Sequence, residues 1–157
     1  MFRKLRRTSN EKGGRTALDA VRPCDFGLAR LSLHSCACKT ACGTPSYLAP
    51  EVAVLFKQHC TPTDMTGHGY DERADMWSLG VVLYNMLGGE QPFEQENLLD
   101  NIITGDYDFP IATWDAISPT TIDLVKQLFN RKPEDRLTAQ RARDRVILNI
   151  SQQSVSC

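Results

Sequence analysis

No stretch of this 157-residue sequence is apolar for long enough to span a bilayer, which takes about 20 consecutive residues. The N-terminus is basic, but no apolar run follows it, so no secretory signal is read. Neither charge sign is in excess: 18 Lys and Arg against 19 Asp and Glu leave a formal net charge of −1. That excludes a polyanion binder resting on bulk charge, and nucleic acid and membrane are not expected as partners. The six cysteines are Cys24, Cys36, Cys38, Cys42, Cys60 and Cys157. With His34 they offer C-x-C-x3-C but no second ligand pair, which is not a zinc spacing. Without a secretory signal they are expected as free thiols in a reducing compartment, cytoplasmic or nuclear. No internal repeat is present, and nothing between Gly43 and Cys157 reads as a strand.

What is present suits a soluble globular domain, with 41% hydrophobic and 24% charged residues. Charge is uneven along the chain. Arg3, Lys4, Arg6, Arg7, Lys12 and Arg15 face only Glu11, so residues 1–22 are expected to form a basic, disordered leader. Leu28 to Ala41 is rich in small and polar residues and reads as a loop. Pro50 suits the first turn of a short helix through Val52, Leu55 and Phe56. The run "DERADMWSLGVVLYNMLGG" reads as a helix capped by Asp71 and stopped by Gly88-Gly89. Its apolar residues cover every side, which predicts a central core helix. A further helix is expected over Glu94 to Thr104 with Gly105 as its C-cap. Another should start at Ser118-Pro119 and carry Ile122, Leu124, Val125, Leu128 and Phe129 as its apolar stripe. A last one should be capped by Thr138, with Ala139, Ala142, Val146 and Ile150 on one face.

Four motifs follow one another in order: "DFG" at Asp25 to Gly27, "CGTPSYLAPE" at Cys42 to Glu51, "DERADMWSLGVVLYNMLGGEQPF" at Asp71 to Phe93, and "KPEDRLT" at Lys132 to Thr138. Together they resemble the C-terminal lobe of a protein serine/threonine kinase, over about Pro23 to Leu148. The linker "GDYDFPIATWDAIS" is similar to that of the calmodulin-dependent and checkpoint-type group. The resemblance implies a mainly α fold, a truncated kinase-like C-lobe with little or no sheet, its helices packed around the central hydrophobic one. It divides the chain into the leader at 1–22, a partial kinase domain at 23–148 and a tail at 149–157.

By the same resemblance Asp25 would bind Mg²⁺ bridging the phosphates of ATP, Phe26 would set the pose of the turn, and Gly27 would let its backbone flip. Thr40 is the candidate activation-loop phosphosite. Gly43, Thr44 and Pro45 would form the substrate shelf, with Thr44 facing the substrate hydroxyl. Glu51 would pair with a buried arginine, for which Arg136 is the match, and Asp75 would anchor the catalytic loop from the start of the core helix. Trp77 reads as a core residue.

The resemblance also marks gaps. The family needs a Gly-rich loop, a strand lysine and an H-R-D-L-x-x-x-N segment ahead of the metal-binding turn. "GHGYDE" at Gly67 to Glu72 and "VAVLFK" at Val52 to Lys57 are only echoes, in the wrong places, and none of His34, His59 or His68 precedes Arg-Asp. No catalytic base is therefore identified. Pro23 cannot donate to a sheet ladder, so the family-like sequence is expected to start there. The expected function is that of a serine/threonine kinase domain present as a fragment and inactive alone. The alternative is a non-catalytic kinase-like module that competes for substrates or regulators. Partners would be protein substrates or regulatory proteins. The core helix would lack the long upstream helix that covers it in the family, so the missing kinase segments or a chaperone would be needed for stability.

Overall fold

The computed structural model describes Gly27, Ala29, residues 42–57 and residues 69–154, with side chains through Val146. Six α-helices and two single 3-10 turns occur among these residues, and no strand does. The first turn, Pro45–Tyr47, leads into α1, Pro50–Lys57. Helix α2 runs over Arg73–Gly88. The Asp71 carboxylate accepts the Arg73 N–H at 3.0 Å, which serves a donor that the helix itself leaves open. Its other end closes on Gly89, whose φ of 77° is a left-handed pose that glycine adopts without steric cost.

Helix α3, Leu98–Thr104, starts at the first apolar residue of the expected range rather than at Glu94. Asn97 sits in the left-handed region at φ 57°, and the Asn101 amide donates to the carbonyls of Glu96 (2.9 Å) and Glu94 (3.4 Å). Those bonds hold residues 94–97 as a turn. Helix α4, Ile111–Trp114, and the 3-10 turn Pro133–Asp135 are too short to carry a period, and the sequence did not predict them. Helix α5, Pro119–Leu128, starts as expected: Ser118 Oγ accepts the Thr121 N–H at 3.2 Å and Pro119 takes the first position. Helix α6 spans Ala139–Ser154.

Helix α2 organises the core. Trp77 and Val81 are fully buried against Ile102, Val125, Phe129 and Phe93, and Met76 packs with Leu128 and Leu137. Trp77 stacks on Phe93 with ring centroids 5.7 Å apart and tilts against Phe129 at 5.1 Å. Such ring pairs add about 0.5–1.5 kcal/mol beyond the area they bury. The helix is central, but it is not enclosed. Its buried residues Ala74, Met76, Trp77, Gly80, Val81 and Tyr84 share one side, while Leu79 (48% exposed) and Met86 (75%) face outward on the other. A second departure from expectation lies on α6, where Ala142 packs onto the core but Val146 is left 43% exposed.

At Gly80, α2 packs directly on the end of α5. A Cβ there would lie 2.9 Å from Leu128 Cβ and 3.0 Å from the Phe129 ring. Alanine ordinarily stabilises a helix by about 1 kcal/mol over glycine. Here overpacking of about 1–3 kcal/mol opposes that gain. Gly80→Ala is therefore expected to lower the melting temperature, and a rise would show that the two helices separate freely.

Tyr84 lies under Phe109 and Trp114 and donates its hydroxyl to the Asp108 carbonyl at 2.9 Å. Burial, with the Asp108 carboxylate second, lifts its pKa above the ordinary 10.0. Burial lifts Tyr107 in the same direction. A raised phenol is neutral in the folded chain where the unfolded chain would already ionise. The stability it contributes is whole below pH about 10 and is lost as pH climbs through the folded value. Tyr84 and Tyr107 are expected to ionise above the ordinary phenol range in an alkaline absorbance titration, with unfolding promoted over the same range. Ionisation of both phenols at the ordinary value in the folded chain would contradict this assignment.

Candidate functional site

Gly43, Thr44 and Pro45 form a continuous exposed edge ahead of α1. Gly43 has φ 126°, which disfavours any residue with a side chain, and a Cβ there would press on Leu48 at 3.3 Å. Thr44 is extended and its carbonyl accepts the Tyr47 N–H at 3.0 Å, which closes the 3-10 turn that Pro45 opens. Behind the edge, Leu48 and Ala49 are buried. The Ser78 hydroxyl of α2 donates to the Tyr47 carbonyl at 2.7 Å and so ties the edge to the core helix. A mid-helix serine gives no sequence signal for that contact.

Helix α1 then delivers Glu51 to Arg136. Arg136 Nη1 and Nη2 donate to the two carboxylate oxygens at 2.8 and 2.9 Å, a bidentate pairing. The arginine side chain has no exposure and the glutamate retains 19%. Arg136 also donates to the carbonyls of Asn130 (2.9 Å), Arg73 (2.8 Å) and Arg131 (3.4 Å), so five N–H groups meet five acceptors. Its guanidinium lies 5.4 Å from the Trp77 ring centre. A planar cation with a fixed fork fits this position, and a lysine, with three N–H donors, would leave at least two of the five acceptors unserved. One side chain thus fastens α1, the start of α2 and the loop after α5.

Asp75 does not join this clasp. It lies exposed in the first turn of α2, where its charge suits the helix N-terminus. Gly27 sits in an exposed turn, while Asp25, Phe26 and Thr40 lie outside the described residues. Among the described residues no three His, Cys, Asp or Glu side chains converge to hold a metal ion, and no helix is long and apolar enough to cross a membrane. The described residues present a shaped backbone edge tied to the core helix.

Beyond the edge the surface is acidic. From Ala74 to Val125 the chain has nine Asp and Glu and no Lys, Arg or His. Two of these acids find cations elsewhere, Asp100 with Lys57 at 2.5 Å and Asp123 with Arg145. Arg131 reaches across to the last carbonyls of α3, donating to Thr104 at 2.8 Å, a cation at a helix C-terminus.

Comparison with known proteins gives this geometry a setting. A family model described as protein kinase domain matches residues 10–147. A probable myosin light chain kinase of Dictyostelium discoideum is 37% identical over 138 residues, covering 86% of this chain and 36% of that protein. The MAP kinase-activated protein kinase 5 of Mus musculus is 35% identical over 151 residues, covering 87% of this chain and 32% of its own length. The same figures hold for the Homo sapiens protein. The chain spans about a third of the length of these relatives.

Proposed function

The chain belongs to the protein kinase domain family, and from that premise we propose that it is the C-terminal-lobe part of a serine/threonine kinase. The observation that carries this reading is the Glu51–Arg136 clasp, which fastens α1, just behind the Gly43–Pro45 edge, to the start of α2. In this reading the edge is the shelf on which a protein substrate lays its backbone, with Thr44 beside the hydroxyl that accepts phosphate. Thr40, just ahead of it, would be phosphorylated to order the segment. ATP and Mg²⁺ are the cofactors, and Asp25 is the residue of this chain that would hold the metal. When bound, Mg²⁺ bridges phosphate oxygens and neutralises charge that builds up during transfer. A carboxylate suits that task because the ion takes hard oxygen ligands.

The division of labour follows from which residues the chain has. It has no H-R-D segment and no Gly-rich loop over phosphates, and phosphoryl transfer depends on positioning and electrostatics from all these parts together. We therefore propose that this chain alone does not turn over and acts with the remaining kinase segments. The outward-facing Leu79 and Met86 support that view, because large apolar side chains left in water forfeit about 1.5–3 kcal/mol each. Protein substrates or regulators are the expected partners, in the cytoplasm or nucleus.

The test uses radiolabelled ATP, Mg²⁺ and a mixture of serine and threonine peptides. The chain alone should label nothing above an Asp25→Ala control. Joined in frame to the Gly-rich-loop and H-R-D half of a relative, it should transfer phosphate, and Asp25→Ala should abolish that transfer. Turnover by the isolated chain that depends on Asp25 would overturn the proposed inactivity. A chimera indifferent to Asp25, or one that folds yet never labels peptide, would overturn the kinase reading itself.

A further inference from the structure

We draw no further inference here: the strongest candidate, the open acidic cavity beside α3 walled by Glu94, Glu96, Asp106 and Asp108 with Tyr107, is a cluster of carboxylates alone, and no second feature of the structure points to a ligand for it.

Discussion

Replacing Arg136 with alanine is expected to lower the free energy of unfolding by about 3–5 kcal/mol, the range for breaking one member of a buried ion pair. The size comes less from the attraction lost than from what is left behind. Glu51 would keep a charge at a site only 19% exposed, and the carbonyls of Arg73, Asn130 and Arg131 would lose their donor. Domains of this size have net stabilities of about 5–15 kcal/mol, so the variant should be largely unfolded at modest urea concentrations. Urea titration followed by tryptophan fluorescence measures it. Glu51→Ala should cost less than Arg136→Ala, because the arginine would keep its three backbone acceptors and Glu51 already meets some water. A loss below about 1 kcal/mol for Arg136→Ala would mean that the clasp is replaceable by solvent, which contradicts its burial.

Trp77→Ala is the second large effect, at about 3–5 kcal/mol for a fully buried tryptophan. Its ring is the floor between Phe93 and Phe129 and carries the Arg136 guanidinium on one face. Because Trp77 and Arg136 touch, the two substitutions should not add, and the double variant should lose less than the sum of the singles. Trp77→Phe separates shape from polarity. The indole Nε1–H is buried and finds no acceptor among the described residues, so it already bears a desolvation cost. Phenylalanine removes that donor and keeps much of the ring, and should cost well under half of what alanine costs. Equal losses for Phe and Ala would assign the indole N–H a partner essential to the fold.

Where periodicity and caps reinforce each other, the sequence foretold the helices well. Asp71 ahead of α2, Gly88-Gly89 at its end and Ser118-Pro119 at the start of α5 are local signals, and local bonds realise them. Helix α3 starts at Leu98 and not at Glu94 because two side-chain amide bonds from Asn101 and a left-handed Asn97 hold the polar residues 94–97 as a turn. Helix α4 and the proline-led turns escaped because three or four residues cannot display a period. The all-round apolar character of α2 announced its central place but not its open side. Periodicity records what a helix could bury, whereas Leu79 and Met86 report what is there to bury it. Of the candidate site, the Gly43–Pro45 edge and the pairing of Glu51 with Arg136 came from motif order alone. No spacing rule links two side chains from different helices and loops. The Ser78 hydroxyl that tethers the edge was not legible at all, since a serine in mid-helix looks the same whether it meets a neighbouring strand of chain or water.

The clasp also sets a timetable for the newborn chain. Glu51 and Arg136 stand 85 residues apart, and ribosomes add about 5–20 residues per second, so the carboxylate is made roughly 4–17 s before its guanidinium exists. Through that interval α1 has no lock. Translation speed across residues 52–136, set by codon choice, thus governs how long a half-made core stands open to chaperones or to neighbouring nascent chains.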